Sequence, residues 1–295
     1  MFRNLRLYRL HSPWPESEAA LSAQLEQAAF QPCGPYSERS SGWEAPAGEG
    51  VELLCRRVAG ADLLRLRSQV RLLPAAAVNE ALEDRVAEFT KRMQRSPGRR
   101  EKRQLKDEVH AELMPRALVK SERVKGFCLI AEELIAIDTA SEAQAERFLD
   151  KLRDALGSLK VTPLKFRQPF AQLINRVFLG DGPPVFRPGR ECRMQDPAAG
   201  AAVVSFQDID LTDDDVQRHV RNGLKLTRLG LVFDELLTCV IDQDGVIRKL
   251  RLQGMDEAED REEDALARLD AEFALLTGAT RRLIEALRKA LGGFD

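Results

Sequence analysis

Alternation opens the chain: in "FRNLRLYRL", apolar Phe2, Leu5 and Leu7 interleave with Arg and Asn, predicting a strand with one wet face. The polar break "HSPWPE" follows. In "SEAALSAQLEQAAF", Leu21, Leu25 and Ala28 then recur at helical spacing, with Ser17 or Ser12 as the cap. Gly, Pro and Ser dominate residues 31–50, which predicts a loop anchored by Trp43. "VELLCRRVAGADLLRLRSQVRLLP" reads as two short strands about Ala59-Gly60-Ala61.

The period then changes from two to about 3.6. Val78, Leu82, Val86 and Phe89 give 75–94 a narrow apolar stripe, and Leu105, Val109 and Leu113 give a second helix ending near Pro115. Ser96-Pro97-Gly98 separates them, so 75–115 is expected to be a projecting helical hairpin inserted between strands. "VKGFCLIAEELIAIDTAS" returns as a strand pair. "SEAQAERFLDKLRDALGSL" follows as a helix with a capping box at Ser141 and Gln144 and a Gly157 C-cap.

The second half repeats this order without a residue-level repeat. "AQLINRVFLG" is a short helix, "GDGPPVFRPGR" a loop, and "ECRMQD" and "AAVVSFQDI" strands. A helix opened by Thr212 comes next, then strands with a hairpin turn at Asp244-Gly245, and a closing helix with a kink expected at Thr277-Gly278. The expected class is α+β, with mixed antiparallel sheets and packed helices. The organisation reads as 1–74 with 116–170 as a central unit, 75–115 as a tip and 171–295 as a base.

Composition narrows the function classes. The 295 residues are 44% hydrophobic and 31% charged, and no apolar run is long enough to span a membrane. The start lacks the apolar core and cleavage site of a secretory signal, so a cytosolic location is expected. Cys33, Cys55, Cys128, Cys192 and Cys239 are scattered with no CxxC pair, fitting neither zinc nor a disulfide framework; Cys128 and Cys239 sit in apolar runs as core residues. Net charge is −2, but its distribution is uneven. Residues 91–106 hold eight bases against Glu101, while "MDEAEDREED" (255–264) holds seven acids against Arg261.

Signatures of phosphate loops, dinucleotide folds, zincins and serine hydrolases are absent, and His11, His110 and His219 are not spaced for metal. Asp213, Asp214 and Asp215 are read as a helix first turn, where the dipole favours acids, before they are read as a nuclease metal cluster. Asp242 opens a "DQDG" hairpin turn rather than a calcium loop, because Gln253 stands at the twelfth place. Neither an active site nor a cofactor is expected.

Basic residues on strands remain. Arg65 and Arg67 share one sheet face, Lys249 and Arg251 share another, and Lys225 and Arg228 stand nearby; Arg99, Arg100 and Arg103 coat the hairpin. Such groups suit phosphates and carry affinity without sequence information. An alternative use of the hairpin is as an adaptor that binds an acidic protein partner.

The chain resembles the RdgC family of bacterial recombination-associated DNA-binding proteins. The stretches that carry the resemblance are "FRNLRLYRL", "AAFQPCGPYSERSSGWEAP", "RQLKDEVHAELMPRAL", "LIAIDTAS", "LRDALGSLKVTPL", "DLTDDDVQRHVRNG" and "RLDAEFALLTGA". The resemblance implies a ring-shaped homodimer that encircles duplex DNA and binds single- and double-stranded DNA without sequence preference. It also implies a nucleoid-associated protein that antagonises RecA by occupying DNA, with no enzymatic activity. It places Leu118, and with it Leu113, at one ring contact, where relatives often carry Phe in place of Leu118. Relatives carry basic residues just before "DLTDDD", where this chain has "FQDI" (206–209), and that difference moves the expected DNA contacts to Lys225, Arg228, Lys249 and Arg251. An outward-facing 255–264 would reconcile the net charge with DNA binding.

Overall fold

A computed structural model describes residues 2–48, 52–198, 202–254 and 265–295; the acidic 255–264 segment, expected to face outward, lies outside the described residues. The architecture is mixed α+β, with seven α-helices and two antiparallel sheets among the described residues. The chain runs β1 (Arg6–Leu10), α1 (Glu18–Glu26), β2 (Arg39–Trp43), β3 (Cys55–Val58), β4 (Ala61–Leu72), α2 (Ala75–Met93) and α3 (Arg99–Leu113). A 3-10 turn, Met114–Arg116, leads into β5 (Leu118–Leu129), β6 (Leu134–Ile137), α4 (Glu142–Leu156) and β7 (Val161–Pro163). Then come α5 (Phe170–Phe178), β8 (Phe186–Gln195), β9 (Val203–Gln207), α6 (Asp214–Arg221), β10 (Lys225–Phe233), β11 (Leu237–Asp242), β12 (Ile247–Leu252) and α7 (Ala265–Ala290).

The first sheet has the order β2-β4-β5-β6-β1-β7, with β3 also on β4; the second has the order β12-β11-β10-β8-β9. Leu21, Leu25, Phe148, Leu149 and Leu152 of α1 and α4 cover one face of the first sheet, where Phe148 meets Trp43 edge-on at 5.1 Å. Its other face, through Leu5, Leu7, Leu63 and Phe127, shares a core with α5, α7 and the second sheet. β1 therefore has no wet face: Leu5 and Leu7 enter one core, Tyr8 and Leu10 the other, and only the Arg6 and Arg9 positions stay half-exposed. Leu5 also exchanges both backbone hydrogen bonds with Ile247, tying the first strand to the second sheet.

Local chemistry explains most boundaries. The Ser17 hydroxyl accepts from Ala20 N–H and caps α1, and Gly157 takes the left-handed conformation that ends α4. Trp43 anchors its loop as expected, and Gly42 beside it leaves no room for a Cβ, which would lie 2.5 Å from the Phe30 backbone.

Five expectations are corrected. β4 is one twelve-residue strand, not a short one, because β2, β3 and β5 all pair along it. "FRPGR" is strand: Pro188 and Gly189 sit at an irregularity of β8 opposite Gly230, where the ladder needs no proline N–H. α6 is capped by the Asp213 side chain rather than by Thr212. Gln144 turns to the Thr139 hydroxyl, so Ser141 alone caps α4. The hairpin turn expected at Asp244-Gly245 is present between β11 and β12; Gly245 alone of the pair has positive φ, and the buried Asp242 carboxylate accepts Asp244 and Val246 N–H and closes it. α7 runs unbroken through Thr277, whose hydroxyl donates back to the Phe273 and Ala274 carbonyls. All five cysteines are buried and free, and burial pushes the Cys55 and Cys239 thiols up to about 12.

Candidate nucleic-acid interface

Beyond Leu63 and Phe127 the shared-core face of the first sheet turns cationic. In register, Arg65 stands opposite Lys125 and Arg67 opposite Arg123. Among the described residues Glu44 is the acid paired with them, 2.9 Å from Arg65 Nε, 3.6 Å from Arg67 Nη1 and 2.7 Å from Arg123 Nε. Arg67 also lies over the Phe30 ring, 4.4 Å from its centroid. Burial lowers the Arg65 pKa; Glu44 works against it, and Arg123 and Arg67 add to the lowering. Arg65 and Arg67 are thus half-buried members of a four-cation cluster, not free solvent-face residues.

The second sheet carries a comparable patch on the face away from its core. Leu226, Leu229, Cys192 and Met194 point inward, so the bulge between Leu226 and Arg228 sends Arg228 outward, opposite Arg193. Lys225 is exposed at the strand start. Lys249 and Arg251 border one concavity of about 490 Å3, floored by the paired strands at Gly189 and Gly230. There Lys249 Nζ lies 2.5 Å from Glu191, and Arg190 Nε donates to Asp208 at 2.7 Å. The structure therefore brings Lys249 and Arg251 together, though Lys249 is partly neutralised. Arg123, Lys125, Arg190 and Arg193 join the expected cations.

On the helix pair, Arg99, Arg100 and Arg103 are exposed and have no ion pair with a described residue. α2 and α3 lie against each other with Val78, Leu82 and Val109 buried, and Arg85 Nη2 reaches Glu112 at 2.5 Å. Arg71 fastens the base of the pair: its guanidinium donates to the carbonyls of Cys33, Gly34, Met114, Pro115 and Ala117. Leu118 is 78% exposed at the start of β5, paired with exposed Leu72 and followed by exposed Val119, whereas Leu113 is half-buried.

The start of α3 gives a pH prediction. Glu101 accepts from Arg95 and from Gly98 N–H, in that order of effect, which holds its carboxyl at about 2. The folded value lies below the unfolded one of about 4.3. The cap is thus fully formed above the unfolded value and is lost as pH falls through the folded one. Amide protection in the first turn of α3, measured against the intrinsic exchange rate at each pH, is expected to hold from neutral pH to about 4 and to fall toward about pH 2. Glu101→Gln should remove that acid dependence; unchanged protection across the range in both proteins would refute the cap.

The carboxylates have structural partners. Asp213 caps α6, Asp214 pairs with Arg221 at 3.1 Å, Asp215 with Arg218 at 2.9 Å, and Asp242 holds its turn and Arg248. Among the described residues no group of three or more potential ligands is placed to hold a metal ion, and no described helix is long and apolar enough to cross a membrane.

Comparison with known proteins follows the same lines. A family model described as "Putative exonuclease, RdgC" matches residues 1–294. A recombination-associated protein RdgC of Xanthomonas campestris is 36% identical, the match covering 98% of this chain and 97% of that protein. One of Stenotrophomonas maltophilia is likewise 36% identical, covering 98% and 97%. One of Shewanella oneidensis is 32% identical, covering 100% and 98%. Matched over almost its whole length by the family model and by these relatives, the chain belongs to the RdgC family of recombination-associated proteins.

Proposed function

We propose that this protein binds DNA, double- and single-stranded, without reading sequence, and closes as a ring-shaped homodimer around the duplex. By occupying DNA in the nucleoid it restrains RecA-promoted recombination, and it does so without catalysis or a cofactor. In this reading 1–74 with 116–170 forms the central unit, 171–295 the base, and α2 with α3 the projecting tip. The exposed apolar Leu118, near Leu113, supports a ring contact at the base of that tip.

One observation carries the proposal. Arg65–Lys125, Arg67–Arg123 and Arg228–Arg193 are like-charge pairs directly opposite one another in antiparallel sheet. Such pairs destabilise a sheet, and a phosphate backbone lying across them supplies the missing anions. Diffuse cations on strands give affinity and leave bases unread.

The test is binding to random-sequence duplex over a range of salt. If about six phosphates are neutralised, the log–log slope should be near −5, at roughly −0.9 each. A slope near zero, or strong preference for one sequence, would sink the reading. Closed circular duplex should load far more slowly than linear duplex. Incubation with magnesium should leave DNA length unchanged, equally so for Asp214→Ala; cleavage that this substitution abolishes would establish a nuclease instead.

A further inference from the structure

A groove of about 630 Å3 runs between α2 and α3 and is not used by the sheet surfaces. Its α3 wall is Arg99, Lys102, Arg103 and Lys106, and α2 contributes Leu82, Val86 and Ala87 together with the polar Asn79 and Glu83. We propose that this groove docks an acidic amphipathic helix of another protein.

The four cations sit at i, i+3, i+4 and i+7, so they form a single stripe on α3 about 10 Å long, two helical turns. All four are exposed, and none is paired with a described acid. Glu101 is engaged with Arg95 and Glu112 with Arg85, and Glu83 on α2 is the one acid among the lining residues, against four cations. Like charges spaced this way repel along a helix, so the stripe calls for an anionic partner of matching periodicity.

The α2 side decides which anion. Leu82 is buried, Val86 half-buried and Ala87 exposed, giving an apolar strip beside the cationic wall, bordered by Asn79 and Glu83. Methyl groups offer a phosphate backbone nothing. A helix laid in a groove uses such a strip for apolar anchors at i, i+3 and i+4, with its acids meeting the wall. The partner is therefore a helix of at least two turns with adjacent acidic and apolar stripes. This inference stands independently of the sheet surfaces proposed to bind DNA.

The probe is a fluorescein-labelled peptide of about 18 residues, five turns, with Glu at i, i+3, i+4 and i+7 flanked by a Leu stripe. Its control is a scrambled peptide of identical composition. Fluorescence anisotropy with the full chain should show the patterned peptide binding about tenfold tighter than the scramble. Ala87→Glu, at an exposed position, and the charge-neutral Val86→Asn should each weaken it about tenfold while random duplex binding is unchanged. Lys102→Glu with Arg103→Glu should abolish the difference between the two peptides. Three results would overturn the proposal. The scramble binds as well as the patterned peptide; a random duplex displaces the peptide and is itself weakened by Ala87→Glu; or Ala87→Glu alters self-association while peptide binding is unchanged, making a second copy the occupant.

Discussion

Replacing Arg193, Arg228 and Arg251 together by Ala is expected to weaken binding to random-sequence duplex about a hundredfold at about 0.15 M salt. The figure follows from counterion release: each lost phosphate contact flattens the log–log slope by roughly 0.9 and costs about fivefold at that salt. Arg193 and Arg228 face each other across β8 and β10, outside the core formed by Leu229 and Cys192. Removing them relieves a like-charge pair and exposes no buried group. The triple variant should therefore melt at or above the parent temperature, which separates lost binding from lost folding. Arg153, Arg218 and Arg288, each paired within its own helix to Asp150, Asp215 and Glu285, provide the control; the same triple replacement there should change affinity less than about threefold. Equal losses in the two triples would mean that bulk charge, not this sheet face, holds DNA. An unchanged affinity in the first would remove the second sheet from the interface.

The same residues mark what the sequence makes legible. Both helices of the α2–α3 pair follow from a 3.6-residue stripe and from Ser96-Pro97-Gly98, because their cores and their stop signal are local. Alternation places Arg65 with Arg67, and Lys249 with Arg251, on shared faces for the same reason. What alternation cannot supply is the partner strand. Arg123 and Lys125 become part of the cluster only through the β4–β5 register, set by residues 56 and 60 positions apart. Glu44 joins them from the end of β2, so the half-neutralised state of Arg65 and Arg67 has no local signal. Arg193, between inward Cys192 and Met194, did carry one, since alternation alone points it outward. The bulges at Arg228 and Gly230 break simple alternation in β10, and β8 hides behind Pro188 and Gly189, residues that ordinarily signal a loop. β1 carries a polar alternation and is covered on both faces, because a seven-stranded sheet between two cores leaves its inner strands no solvent side.

Arg57→Ala is expected to lower stability by about 3–5 kcal/mol, since it strands a fully buried carboxylate. Asp62 is 0% exposed on β4, and its oxygens accept from Arg57 Nε and Nη2 at 2.7 Å each and from Trp14 Nε1 at 2.6 Å. Arg57 also donates to the carbonyls of Glu16 and Pro15, so this group pins the segment before α1 against β3 and β4. Without the guanidinium, the carboxylate keeps one indole N–H for a whole charge. The reciprocal Asp62→Ala should cost less, about 2–3 kcal/mol, because the Arg57 side chain is 23% exposed and retains two carbonyl acceptors. For a chain of 295 residues, the larger loss corresponds to a melting temperature about 5–8 °C lower. The double replacement Arg57→Met with Asp62→Leu should be milder than Arg57→Ala alone, because it removes the buried charge together with its partner and restores volume. Denaturant unfolding of the parent and the three variants compares these costs directly. A cost below about 1 kcal/mol for Arg57→Ala, or a double variant no better than that single one, would show that the pair is not what holds Trp14 and α1 to the sheet.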